Sequence, residues 1–194
     1  MNQQGKANST AEEALRAILA LPAAERARLF ELMAREPSLA RYAASLSARQ
    51  LGFETKADLK GAPDFVVVFD GGSQGNPGLG YGSYAVIPRN GRQTVRRLEL
   101  GGGMTNNEAE YDTLIAALED VAERVESAGR SPAQVTVEVR GDSSLVLRQV
   151  LGEWKAKDER MRRRRDVVRS LLSRFAGYRL VQQPREESVR VLGH

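Results

Sequence analysis

The apolar residues follow two different rules along this chain, and the change comes near residue 52. Before it they recur at helical spacing. Leu15, Ile18 and Leu19 share one face, with Glu12 and Glu13 in the first turn and Ser9 or Thr10 available as the cap. Pro22 suits the first turn of a second helix with the stripe Leu29, Phe30, Leu32 and Met33, and Pro37 ends it. Ser38 opens a third, through Leu39, Tyr42, Leu46 and Leu51. The pattern predicts a disordered leader over 1–10, a small helical unit over 11–51 and a linker over 52–63. A unit this short is marginal alone, so it is expected to pack on something.

After the linker, short β-branched runs take over. Phe65–Phe69 is a continuous apolar run, the mark of a buried strand. Tyr81–Ile87 and Val95–Leu100 follow, with the turn signal Asn90-Gly91 between them. Asn107–Ser127 reads as a helix with Leu114, Ile115, Leu118 and Val121 on one face. Val135–Val139 alternates as a strand, Ser143–Leu151 and Glu159–Phe175 read as helices, and Tyr178–Gln182 is a fifth strand. Three sequential strands predict an antiparallel meander, and a strand that returns after a helix predicts a parallel crossover. The expected class is α/β, with one domain over 64–194.

Composition narrows the chemistry. There is no cysteine, and the one histidine is His194, at the last position of 194. Disulfide scaffolds, thiolate zinc sites, cysteine nucleophiles, multi-histidine metal sites and triads with an internal histidine are excluded. Any metal must be held mainly by carboxylates and carbonyls, which suits magnesium or manganese. No apolar stretch is long enough for a transmembrane helix, and the polar start lacks a secretory pattern, so the expected compartment is the cytoplasm. The net charge is +4, a mild pointer to a polyanionic partner. Residues 153–174 hold nine basic side chains (Lys155, Lys157, Arg160, Arg162, Arg163, Arg164, Arg165, Arg169 and Arg174) against four acidic ones. That local excess is larger than the whole chain's, so the remainder is slightly acidic. A charge run usually marks a solvated helix face; this one also suits phosphate contact.

Three acidic positions stand out by context. Asp70 follows the first strand, Asp142 follows the fourth, and Glu110 lies one turn into a helix. An aspartate ending a strand is usually a turn residue. If the two strands are neighbours, however, the two aspartates meet at one sheet edge, where a helix can aim Glu110 at them. Clustered carboxylates repel and need cations between them.

The surrounding residues are Asp70-Gly71-Gly72-Ser73-Gln74-Gly75-Asn76-Pro77-Gly78, Thr105-Asn106-Asn107-Glu108-Ala109-Glu110-Tyr111 and Gly141-Asp142-Ser143 with Leu145, Val146 and Gln149. In that order they resemble the type 1 ribonuclease H family, over roughly Phe65–Ser188. The resemblance implies a five-stranded mixed sheet with flanking helices and an endonuclease that hydrolyses the RNA strand of RNA–DNA hybrids. It implies Asp70, Glu110 and Asp142 as catalytic metal ligands, with Glu110 rather than Glu108 as the match. Two magnesium or manganese ions, about 4 Å apart, would clamp the scissile phosphate. By the same resemblance Gly71, Ser73 and Asn76 contact the RNA strand, and Asn106 and Asn107 read the minor groove. Thr105 holds a DNA phosphate. Trp154, twelve residues after Asp142, packs on the DNA strand beside Lys155, although a tryptophan there also suits a core.

The match fails at the end of the chain. The family's last aspartate follows a segment resembling R-x-x-N-x-x-A-D, but here Ser188 replaces the asparagine and Leu192 the aspartate. The family's terminal helix is expected to be missing. Three readings stay open. The site works with three carboxylates; or His194 reaches back as a nitrogen ligand or proton carrier, or Arg185 or Arg190 neutralises the phosphate; or the protein is an impaired enzyme that only binds hybrids. The helical unit before residue 52 lies outside the resemblance, and dimerisation or partner docking is its expected use.

Overall fold

The computed structural model describes residue 59 and residues 61–193, and within the N-terminal region residues 13, 14, 16–18, 20–22, 25, 26, 28 and 29. The chain divides into two compact units, 1–46 and 47–194. In the first, the described residues within 13–20 and within 25–29 are helical, with a break at Leu21 and Pro22. There the Arg26 side chain donates to the Leu21 carbonyl at 3.1 Å. The expected leader, the third helix, most of the linker and the apolar stripe of Phe30, Leu32 and Met33 lie outside the described residues, as does His194.

The second unit is built on a five-stranded sheet: β1 (Phe65–Gly75), β2 (Gly78–Pro88), β3 (Thr94–Met104), β4 (Thr136–Gly141) and β5 (Gly177–Gln182), in spatial order β3-β2-β1-β4-β5. β1, β2 and β3 form the antiparallel meander, while β4 runs parallel to both β1 and β5. The helices are α1 (Asn106–Ser127), α2 (Ser144–Leu151), α3 (Glu159–Ser173) and α4 (Arg185–Leu192).

β1 corrects the sequence-based expectation. It runs six residues beyond Phe69, so Asp70, Gly71 and Ser73 lie inside the strand rather than in a loop after it. Glycine is a poor strand former alone. Here every residue of the glycine-rich segment is paired with β2, down to Gly75 opposite Gly78, and the ladder overrides the propensity.

The main core lies between the sheet and α1. Val67 and Phe69 of β1, Val137 and Val139 of β4, and Tyr111, Leu114, Leu118 and Val121 of α1 are all buried there. Each such side chain contributes about 1.5–3 kcal/mol on burial. α1 starts where it does because Thr105 and Glu108 form a capping box. Only Val168 and Leu172 of the basic helix α3 are buried.

The other face carries a smaller cluster of Val68, Ala85 and Leu192, flanked by Val66, Ile87 and Val191. The terminal helix expected to be missing is therefore present, as α4. Its reason is apolar: Leu192, standing where the family pattern has an aspartate, is 2% exposed and is the plug of this second core. β3 and the residue before it hold the far end, with Gln93 donating to the Val191 carbonyl at 2.8 Å and Arg97 to that of Gly193 at 3.3 Å. Leu192→Ala should cost about 2–4 kcal/mol of stability, measured by urea unfolding, because the cavity opens under a single short helix.

Candidate active site

The register of β1 on β4 builds the site. The pair is hydrogen-bonded only from Phe65↔Val137 to Val68↔Arg140. Two residues beyond that last rung stand Asp70 on β1 and Asp142 just past β4. They therefore face each other where the parallel strands part, at the carboxyl end of the sheet where open α/β folds bind ligands.

Glu110 enters from α1. The approach depends on Gly71: a Cβ there would lie 2.6 Å from the backbone of Ala109 and Glu110. With hydrogen in that place, the first turns of α1 lie directly on β1. Tyr111, next in the chain, is fully buried and donates to Gln149 of α2 at 2.9 Å, which ties α1 to the helix that follows Asp142. Ser143, the α2 cap, donates its hydroxyl to Glu110.

One carboxylate oxygen from each of Asp70, Glu110 and Asp142 lies within 4.8 Å of the others. Asp70 is buried and the other two are half-buried. Burial pushes the Glu110 carboxyl up to about 7, with the charges of Asp142 and Asp70 adding to it against the Ser143 hydroxyl and Arg185. Burial and the Asp70 charge also raise Asp142, against the pull of Arg185. The cluster is short of positive charge, and its donors are all hard oxygens. Both features fit magnesium or manganese.

Glu108, two residues away, is committed elsewhere. It accepts from the Thr105 amide at 2.9 Å and hydroxyl at 2.8 Å, and pairs with Arg160 and Arg164, each at 3.3 Å. Burial alone would raise its carboxyl; those Thr105 hydrogen bonds and two guanidinium groups hold it below the ordinary value.

The other residues singled out from the sequence separate into two places. Ser73, Asn76 and Asn106 are joined: the Ser73 amide donates to the Asn106 side chain at 2.8 Å, and the Asn106 amide to the Asn76 side chain at 3.3 Å. Ser73 also donates its hydroxyl to the Met104 carbonyl at 2.8 Å. Asn107 is exposed on the same helix start. Trp154 and Lys155 follow α2 instead. Trp154 is half-buried, with the Arg148 guanidinium 5.2 Å from its ring centroid, while Lys155 is exposed.

The charge run of α3 is also divided. Arg164 clamps Asp112 of α1 with bonds of 2.8 and 3.0 Å, and Arg169 donates to the carbonyls of Val150 and Gln149, at the end of α2. These two arginines hold helices together. Arg162 and Arg163 face outward, paired with Glu159 of their own helix.

Sequence reasoning assigned no structural contact to Arg185. Its guanidinium lies 3.3 Å from Asp142 and 3.8 Å from Asp70. It stands seven positions before Leu192, about two turns of helix, but nothing in one sequence says that α4 forms or which way it points.

The profile of a family described as "Reverse transcriptase-like" matches residues 68–191. The chain belongs to this family, and its domain is of the type 1 ribonuclease H kind. It is 37% identical over 122 residues to "Ribonuclease HI" of Halobacterium salinarum, covering 63% of this chain and 57% of that protein. It thus spans little more than half of that relative's length. Among solved structures it resembles ribonuclease H1 from the same archaeon, at 35% identity and a TM-score of 0.58, over 65% of this chain and 89% of that one. It also resembles LC11-RNase H1 in complex with RNA/DNA hybrid, at 30% identity and a TM-score of 0.58, again over 65% and 89%. The ribonuclease H fold expected from the motifs is the fold observed.

Two measurements check this geometry. Gly71→Ala should push α1 off β1, lowering stability by about 1–3 kcal/mol in denaturant unfolding. Glu110 keeps its proton to about 7 when folded, against an ordinary 4.5. The folded state therefore holds the extra proton between those values. Its contribution is full below pH 4.5 and lost as pH rises through about 7, on the order of 3 kcal/mol. With a chelator present, that loss should appear in the pH dependence of unfolding and flatten in Glu110→Gln.

Proposed function

We propose that this chain is a divalent-metal-dependent endonuclease that hydrolyses the RNA strand of RNA–DNA hybrids, leaving 5′-phosphate and 3′-hydroxyl ends. The observation that carries this is the convergence of Asp70, Glu110 and Asp142 from three separate elements, with their oxygens within 4.8 Å. A ribonuclease HI among the relatives and a hybrid-bound ribonuclease H1 among the structural neighbours support the substrate class.

In this reading Asp70, Glu110 and Asp142 hold magnesium or manganese, two ions once substrate is bound. Bound there, the ions supply Lewis-acid stabilisation of the charge that develops on the phosphate and its two in-line oxygens. The chain's own side chains do the positioning. The cluster of Gly71, Ser73, Asn76, Asn106 and Asn107 combines glycine backbone with side-chain amides, a pairing suited to a shallow groove lined with 2′-hydroxyls. Thr105 stands at the helix start where backbone amides favour a phosphate, and Trp154 and Lys155 offer a flat apolar ring beside a cation for the DNA strand. Asp70, Glu110 and Asp142 are the catalytic residues. No general-base side chain is required, in keeping with a chain that has no internal histidine.

A second reading is favoured by one observation. The position of the family's last aspartate is Leu192, turned into the core at 2% exposure. A protein that binds hybrids and cuts them poorly or not at all would also carry this pattern. Labelled RNA–DNA hybrid, incubated with magnesium and then manganese, separates the two. The nuclease should cut the RNA strand, and Asp70→Asn should slow cutting more than about a hundredfold, since even groups that only orient metal ligands are worth 10–100-fold. Salt-sensitive hybrid binding without cleavage in either metal would leave the binding protein.

A further inference from the structure

The carboxylate cluster already has a cation of its own. Arg185 is the first residue of α4, and its two terminal nitrogens reach separate members of the cluster. One lies 3.3 Å from the Asp142 Oδ2 atom and the other 3.8 Å from the Asp70 Oδ2 atom. Among the described residues these two aspartates are its only ion-pair partners. Glu187, one turn on, is occupied by Arg190.

The position is set by the fold. By strand alternation Asp70 shares the sheet face of Val66 and Val68, and α4 covers that face through Leu192 and Val191. Anchored at its far end by Gln93 and Arg97, the helix holds its first residue over the point where β1 and β4 part. The aspartates are mostly shielded, at 8% and 17% side-chain exposure, while Arg185 is 65% exposed. It is therefore a solvent-exposed cation held over a shielded anionic site.

We infer that Arg185 is a built-in counter-cation that competes with divalent metal for Asp142 and Asp70. This rests on reading the three carboxylates as the metal site. The charge balance gives the reason. Four carboxylates match two divalent ions. With all three carboxylates ionised, as metal ligation requires, they and one guanidinium leave a net −2, which a single divalent ion balances. A metal bound to the same oxygens sits beside a positive charge, so entry of metal and departure of Arg185 are coupled. The aspartate replaced by Leu192 and the arginine on the same helix thus act in one direction: both lower the affinity of the free chain for metal.

The test is a calorimetric titration of manganese into the full chain at low ionic strength, with no nucleic acid present. Arg185→Gln should bind manganese about tenfold more tightly than the unchanged protein, an advantage that shrinks as potassium chloride is added. Arg185→Lys keeps the charge and should stay near the original affinity. Asp70→Asn should lose most of the binding. Circular dichroism checks that each variant is folded, the buried Asp70→Asn above all, since Arg185 is 65% exposed. Equal or weaker binding by Arg185→Gln, with binding still lost in Asp70→Asn, overturns the competition alone. Binding that Asp70→Asn leaves untouched overturns the metal site itself, and the competition with it.

Discussion

The site depends on how far β1 is paired on each side. Against β2 it is hydrogen-bonded along its whole length; against β4 the pairing stops at Val68 and Arg140. A strand held on one edge and released on the other keeps its backbone straight while opening a gap. Asp70 and Asp142 stand on the two lips of that gap. The gap serves the site only because Gly71 lets α1 lie against β1, which brings the Glu110 carboxylate to the same point. Packing, not attraction, assembles three groups that repel one another.

The surrounding arginines show how unevenly the chain compensates its acids. Glu108 and Asp112, on the side of α1 that meets α3, each have a close guanidinium from α3. Glu138, buried on the sheet, has both Arg140 and Arg179. Those acids are structural, and their carboxyls sit where a fixed charge is fully paired. In the Asp70, Glu110 and Asp142 cluster, two of the acids share the guanidinium of Arg185, which is mostly in solvent. The contrast separates acids matched by close, fixed guanidinium groups from a cluster whose shared arginine is exposed, as the proposed metal site requires. Glu108 and Glu110 are two residues apart in sequence and belong to opposite classes.

Most of the sheet and of α1 was legible because local pattern and tertiary packing agree there. Val135, Val137 and Val139 alternate and all three are buried; Leu114, Leu118 and Val121 share a helical face and meet the sheet. The glycine-rich end of β1 was not legible as strand, because its pairing comes from β2 rather than from its own residues. α4 was hidden for a related reason. A short segment rich in charge has little helical signal alone, and it is the pocket of Val68 and Ala85 that makes a helix of it.

The chain by itself determined the chemistry available: no cysteine, no internal histidine, and three acids in motifs ordered as in type 1 ribonuclease H. It determined the strands and helices whose hydrophobic period matches the face they bury. Only the tertiary structure decided how closely the three acids converge, where Leu192 goes, and that Arg185 lies on Asp142 and Asp70. Those outcomes are set by register between strands distant in sequence and by close approach at a single glycine. Neither leaves a periodic trace, because each depends on a partner far along the chain.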